Sequence, residues 1–327
     1  MDVTHEKISV PRQPKDIKLV FFGNERLATG VSTTAPTLRK LIHAGYNVTA
    51  VVSHHTSSNS RAERELEIAA VAHEFDIPVL LPAKPVEIIG QLQAIRADIG
   101  ILVAYGKIVP QSVIDIFPGG IINIHPSLLP LHRGPTPLES VILSGATETG
   151  VSVMKLALTM DAGPVYQQVL VMLDGTETKQ YLADKLLSLG GDMIVKLLPS
   201  ILDGSAVPES QNNAAASYDN LLTKQAGLLD FSKPAGRLER EIRAYQGWPK
   251  SHMTIGDIDV VITAAHAVPK NISSLKPGTA AVDGFTELAI QCSFGSLYID
   301  RIKPAGKQDM PAAAFIAGYR QNIPLIL

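Results

Sequence analysis

Short runs of uninterrupted apolar residues alternate with amphipathic segments over the first part of the chain. Ile17-Lys18-Leu19-Val20-Phe21-Phe22 reads as a buried strand stopped by Gly23-Asn24, residues 35–43 as a helix ending at Gly45, and residues 48–52 as a second strand. A polar loop over 53–60 leads into a Glu- and Arg-rich helix over 61–75. A strand at 79–81, a helix at 85–95, a strand at 99–104, a helix near 110–116 and a strand at 121–124 follow. Strands that are apolar throughout, and not only at every second position, belong to a parallel sheet covered on both faces. Ligands of such sheets bind beyond the carboxyl ends of the strands, which places candidate chemistry in the loops after Phe22, Ala104 and Ile124.

Past Gly150 the pattern predicts strands at 151–156 and 165–173 and a long helix at 179–202. Residues 204–216 are polar and without periodicity, as in a linker. A helix at 234–245 then precedes short apolar runs (Val260-Val261-Ile262, Leu288-Ala289-Ile290, Leu297-Tyr298-Ile299) separated by Gly and Pro turns, the pattern of a small β-barrel or sandwich. The expected division is an α/β domain over 17–203, a linker over 204–216 and a β domain over 217–327.

Composition narrows the function classes. At 327 residues and 46% hydrophobic content the chain is long enough for two buried cores. Lys and Arg number 29 against 31 Asp and Glu, which excludes a surface coated with positive charge for bulk nucleic-acid binding. The imbalance is uneven, since 12 basic and 10 acidic residues lie from Gln211 onward, leaving that half positive and the preceding one negative. A single cysteine, Cys292, rules out an intrachain disulfide and a multi-cysteine zinc site and suits a reducing compartment. The polar start, Met1 to Lys7, has no apolar signal region, and the longest apolar stretch, 99–110, contains Tyr105, Gly106 and Lys107, short of the ~18 residues a membrane span needs. A soluble, cytoplasmic protein is expected.

The densest polar and turn-forming stretch is Asn123-Ile124-His125-Pro126-Ser127-Leu128-Leu129-Pro130-Leu131-His132-Arg133-Gly134-Pro135. Asn123 and His125, two apart at a strand end, share one face and can address one bound atom. An amide donor beside an imidazole suits a carbonyl whose oxygen gains charge in the transition state, although a strand-end Asn-x-His can also simply hydrogen-bond loop backbone. Asp161, in the turn Met160-Asp161-Ala162-Gly163-Pro164, supplies a carboxylate that is either ordinary turn chemistry or a proton relay beside His125. No dinucleotide fingerprint, Walker A loop or Gly-x-Ser-x-Gly elbow is present, and the histidines, His54-His55 included, lack metal-site spacing, so no metal is expected.

These residues resemble the 10-formyltetrahydrofolate-dependent formyltransferases, and among them the methionyl-tRNA branch. The resemblance is carried by Asn123-Ile124-His125, Ser127 to Pro130 and Arg133-Gly134, continues through Glu148-Thr149-Gly150-Val151, Met160 to Gly163 and Val103 to Gly106, and extends to Ala244-Tyr245-Gln246-Gly247-Trp248-Pro249 and the segment from Lys303 to Met310. It implies a Rossmann-like formyltransferase domain followed by an OB-like β-barrel that binds tRNA, and transfer of the formyl group of 10-formyltetrahydrofolate to the α-amino group of methionyl initiator tRNA for translation initiation. The implied catalytic residues are Asn123, His125 and Asp161, with the folate along Ala104, Tyr105, Gly106, Ser127, Leu128, Leu129 and Pro130. Arg61, Arg133, Arg237, Arg240, Arg243, Lys303 and Lys307 are the implied tRNA contacts, Arg237, Arg240 and Arg243 forming a stripe on one helix face or, alternatively, a solvated face paired with Glu239 and Glu241. A monomer is expected.

The chain departs from that pattern at two places. Leu131-His132 stands where the family usually has Arg-Trp, and the first loop reads Gly23-Asn24-Glu25-Arg26-Leu27-Ala28 in place of Gly-Thr-Pro with an aromatic-Ala pair, while the segment from His54 to Arg64 is shorter and less basic than the family's tRNA-facing insertion. A related formyltransferase acting on a sugar-nucleotide amine, a hydrolase using water, and a catalytically idle tRNA- or folate-binding protein are therefore the competing readings.

Overall fold

The two faces of the central sheet explain its all-apolar strands. In the computed structural model, which describes residues 12–26, 30–54, 66–272, 275–283 and 287–319, β1 (Lys18–Gly23), β2 (Asn47–Val52), β3 (Val79–Leu80), β4 (Ile99–Val103) and β5 (Ile121–His125) pair in parallel. β6 (Glu148–Lys155) and β7 (Val165–Met172) extend the sheet antiparallel, giving seven strands in the order β3-β2-β1-β4-β5-β6-β7. Successive side chains enter different cores: Leu19, Phe21, Ile122 and Ile124 face α1 (Pro36–His43) and α6 (Lys179–Leu202), whereas Val20, Phe22 and Ile121 face α3 (Ile89–Ile95) and α4 (Gln111–Ile114). The long α6 lies close on the sheet because Gly190 has no side chain; a Cβ there would stand 2.4 Å from Ile124 Cγ2. The remaining helices of this half are α2 (Glu67–Glu74) and α5 (Pro137–Ser144).

After α7 (Ala235–Ala244), the second half is an antiparallel sheet of β8 (Ser251–Ile255), β9 (Ile258–Val268), β10 (Ala280–Asp283), β11 (Glu287–Gln291) and β12 (Ser296–Pro304), ordered β10-β11-β12-β9-β8, with β13 (Met310–Pro311) on β12 and α8 (Ala312–Tyr319) closing the chain's described part. The sheet curls around a core of Leu238, Ile242, Val260, Ile262, Leu288, Ile290, Leu297 and Phe315. β10 and β8 end it as two edges among the described residues, so the expected barrel is an open half-barrel.

The joint between the halves engages the arginines expected to face tRNA phosphates. Arg237 Nη1 and Arg240 Nε both donate to the carbonyl of Leu143, at 2.6 and 3.2 Å, satisfying the exposed carboxyl end of α5. Arg243 donates to the Glu177 carbonyl at 2.7 Å and pairs with Glu239, and Arg237 pairs with Glu241. Of the two readings of this face, the pairs with Glu239 and Glu241 are present, and two of the three arginines also reach α5. Beside them Lys179 and Glu139, both buried, lie 3.3 Å apart, and Lys179 also donates to the Trp248 carbonyl at 2.9 Å. Among the described residues no helix is long and apolar enough to cross a membrane.

The first loop also departs from expectation in a way that matters for folding. Glu25 is wholly buried and its carboxylate accepts from the amides of Thr37 and Leu38, at 3.0 and 2.8 Å, capping the first turn of α1. Burial pushes its carboxyl up to about 7 against the pull of those amides. The folded chain therefore keeps this proton where the unfolded chain has lost it, and the Glu25 contribution to stability falls as pH rises from the ordinary carboxyl range through about 7. Between about pH 5 and about pH 8 the variant Glu25→Gln should gain stability over the parent by on the order of 3 kcal/mol, read from denaturant titrations across that range. A difference that does not change with pH would mean that Glu25 is ionised throughout.

Candidate functional site

Because Ile122 and Ile124 point into the α1/α6 core, Asn123 and His125 project from the other face of β5 at its carboxyl end. Both are buried, and both reach Asp161: Asn123 Nδ2 is 3.5 Å from Oδ1, and His125 Nδ1 is 3.8 Å from Oδ2. The amide of Gly134 also donates to Asp161 Oδ2, at 2.8 Å. Asp161 arrives in a β6–β7 turn with a left-handed backbone, φ 48°, and the turn can close on β6 only because residue 163 is glycine: a Cβ there would lie 1.9 Å from the Lys155 carbonyl oxygen. The structure thus brings together the three residues that the sequence could only suggest separately.

The tautomer of His125 follows from its other contact. Nε2 lies 2.8 Å from the carbonyl oxygen of His132, which can only accept, so Nε2 carries a hydrogen and Nδ1 is the nitrogen that faces Asp161. His132 is itself left-handed, φ 58°, and its ring Nδ1 lies 3.1 Å from Asp219 Oδ2. The arrangement aligns an amide donor, an imidazole with one free ring nitrogen and a carboxylate at one point, which suits a reaction in which a carbonyl oxygen gains charge while an amine loses a proton.

The loop from Ser127 to Pro130 is pinned from the neighbouring strands. The Ser152 hydroxyl donates to the Ser127 carbonyl at 2.6 Å and accepts from the Leu129 amide at 3.0 Å, and Gln168 donates to both the Leu129 carbonyl and Ser152 Oγ. Sequence reading missed Ser152 and Gln168; the only signal was a hydroxyl interrupting the apolar run of β6. On the far side of the site, Ala104 and Gly106 have left-handed backbones, and the Tyr105 carbonyl is 2.7 Å from His54 Nε2. The Tyr105 ring turns inward against Phe22, where its hydroxyl has no partner among the described residues and burial pushes the phenol up to about 12. Tyr105 therefore offers a ligand its backbone and not its ring.

Arg133, expected on a phosphate, is 1% exposed. Its guanidinium donates from Nη1 to the Tyr218 hydroxyl and from Nη2 to Gln211 Oε1 and Asn213 Oδ1, all at 2.7 Å, which gives this arginine a structural role. Lys303 and Lys307 are exposed on the half-barrel, and Arg61 lies outside the described residues. Cavities of about 470 and 240 Å³ line the Met172 end of β7 and the joint beside Arg240; they lie at the opposite end of β7 from Asp161 and are not part of this site. Among the described residues no group of three or more His, Cys, Asp or Glu could hold a metal ion.

Comparison with known proteins bears on both halves. Residues 19–198 match the formyl transferase family and residues 221–320 the formyl transferase C-terminal domain. The methionyl-tRNA formyltransferase of Roseiflexus sp. is 34% identical over 308 residues, covering 93% of each chain, and that of Chloroflexus aurantiacus is 34% identical over 317 residues, covering 94% of this chain and 99% of its own. Among solved structures, HypX from Aquifex aeolicus in complex with tetrahydrofolic acid aligns with a TM-score of 0.65 at 15% identity, over 94% of this chain and 48% of its own. An N-formyltransferase from Helicobacter canadensis, in complex with folinic acid and dTDP-3-aminofucose, aligns at 0.63 and 17% over 90% of this chain and all of its own; these two likenesses show the fold. With both halves matched and a third of its residues identical to such relatives over nearly its whole length, the chain belongs to the formyl transferase family and, within it, to the methionyl-tRNA formyltransferases.

Proposed function

We propose that the site transfers the formyl group of 10-formyltetrahydrofolate to the α-amino group of methionyl initiator tRNA, giving the N-formylmethionyl-tRNA used in translation initiation. The observation that carries the reading is the convergence of Asn123, His125 and Asp161 at the end of β5, in a chain whose relatives of like length are methionyl-tRNA formyltransferases. The nucleophile is the substrate's own amine. With a pKa near ~8 it is partly neutral at physiological pH, and no serine or cysteine nucleophile is needed.

As the amine attacks the formyl carbon, a new C–N bond forms and charge collects on the formyl oxygen. Asn123 Nδ2 is the fixed donor for that oxygen. His125 already commits Nε2–H to His132, so it can donate only when Nδ1 is also protonated. Asp161, directly or through water, accepts the proton the amine releases and delivers it to N10 of the folate as the C–N10 bond breaks, so that protons balance over the cycle. The pinned loop from Ser127 to Pro130, together with the backbone of Ala104, Tyr105 and Gly106, is proposed to hold the donor.

For the tRNA, the proposed phosphate contacts are Lys303 and Lys307, exposed on the half-barrel, together with Arg61; Arg133, Arg237, Arg240 and Arg243 make hydrogen bonds within the protein. Leu131-His132 belongs to the loop that anchors His125 through the His132 carbonyl, and the side chain in which this chain departs from the family pattern, the His132 ring, is spent on Asp219.

Transfer of labelled formyl from 10-formyltetrahydrofolate to methionyl initiator tRNA, with methionyl elongator tRNA, a sugar-nucleotide amine and water as competing acceptors, tests the assignment. Preference for the initiator tRNA is expected, and turnover confined to another acceptor would reassign the function. Asn123→Ala, His125→Ala and Asp161→Ala should each lower kcat by about 10²–10⁴-fold with the far-ultraviolet spectrum unchanged, and near-normal turnover would remove that residue from the mechanism. The double variant Lys303→Ala/Lys307→Ala should weaken tRNA binding and reduce the slope of log K against log salt by about two, with turnover at saturating tRNA retained.

A further inference from the structure

We propose that Gln211 and Asp219, in the segment joining the two halves, are positioning residues for the transfer reaction, acting on Asp161 and His125 from outside the catalytic group. The inference rests on the function proposed above and deepens it.

Residues 211–220 are laid across the catalytic loops as a strap. Gln211 uses its whole side-chain amide: Nε2 donates to the carbonyls of Asp161 and Gly163, at 2.8 and 2.7 Å, and Oε1 accepts from Arg133 Nη2 and Nε, at 2.7 and 3.2 Å. Further along, Ser217 N donates to the Pro130 carbonyl, Ser217 Oγ accepts from the His132 amide at 2.8 Å, and the Asp219 carboxylate takes the His132 ring at 3.1 Å. Backbone bonds Arg133 N to Ser217 O and Asp219 N to Arg133 O, at 2.9 and 2.8 Å, complete a ladder between the two stretches.

The attachment points are selective. Asp161 and His132 both hold a left-handed backbone that a residue with a side chain adopts at a cost, and both are tied to the strap. One carries the carboxylate; the other carries the carbonyl that orients the His125 ring. Gln211 therefore sets where the carboxylate stands, and Asp219, through His132, sets which way the imidazole faces. A misplacement of about 1 Å at such a centre costs on the order of 10²-fold in rate.

The test separates positioning from mere stability. Gln211→Glu keeps the acceptor toward Arg133 but sets a carboxylate oxygen against two carbonyl oxygens; it should lower kcat by about 10²-fold while KM for both substrates stays within about threefold. Asp219→Ala should act likewise, whereas Asp219→Asn, which retains an acceptor oxygen for the His132 ring, should recover most of the loss. The second readout is nitrogen-15 NMR of labelled histidine, with the His125 signals identified by their absence in His125→Gln. In the parent, His125 should show a protonated Nε2, and in Asp219→Ala that signature should be lost or averaged while Asp219→Asn restores it. Folded variants that turn over within about threefold of the parent, or an Asp219→Ala protein with an unchanged His125 signature, would overturn the proposal. Absence of formyl transfer to methionyl-tRNA by the parent would instead overturn the function proposed above, with the NMR experiment still deciding whether the strap orients His125.

Discussion

A guanidinium removed from water must find oxygen acceptors for its donors, and Arg133 finds them in neutral side chains. Burying such a charge without partners would cost several kcal/mol, so the partners are as necessary as the arginine. They come from Gln211, Asn213 and Tyr218, some eighty residues later in the chain. Satisfying Arg133 therefore draws the segment between the halves down onto the catalytic loops. Once there, the segment's other groups fall against Pro130, His132, Asp161 and Gly163. The shape of the site is in this sense a consequence of solvating one cation without water.

Local geometry was legible in the sequence. The apolar runs marked β1, β2, β4 and β5, and the spacing of two between Asn123 and His125 fixed their common face, because strand periodicity depends only on neighbours. The turn at Asp161 was visible from its glycine, although its meeting with His125 was not. Long-range pairings escaped the same reasoning. A buried arginine and a phosphate-binding arginine have the same letter, so sequence alone cannot show that Arg133 meets side-chain amides and a phenol hydroxyl, or that Arg237, Arg240 and Arg243 meet backbone carbonyls and carboxylates. A polar stretch without periodicity looks like a linker whether it hangs in solvent or, as with Gln211, has every hydrogen bond committed.

The joint between the halves is held in a different manner. Burial raises the carboxyl of Glu139 and lowers the ammonium of Lys179, so dehydration costs each more than its partner returns. Such a pair contributes little net stability, but it is strongly directional when Lys179 also reaches the Trp248 carbonyl. Together with the two α7 arginines that donate to Leu143 in the last turn of α5, it specifies one orientation of α7 against the sheet domain. Orientation matters more than adhesion for a protein whose two halves are proposed to hold opposite ends of one substrate.

The strap also bears on how such a chain can be divided or recombined. A boundary drawn through 204–216 from composition would sever Gln211 from the carbonyls it holds, and a cut before 217 would take Ser217 and Asp219 with the wrong piece. The functional module is longer than the sheet that carries the chemistry. Any exchange of the second half for another binding unit must therefore carry residues 211–220 along with the first, which puts the natural seam of this protein no earlier than Asn220, whose carbonyl still accepts from Thr136.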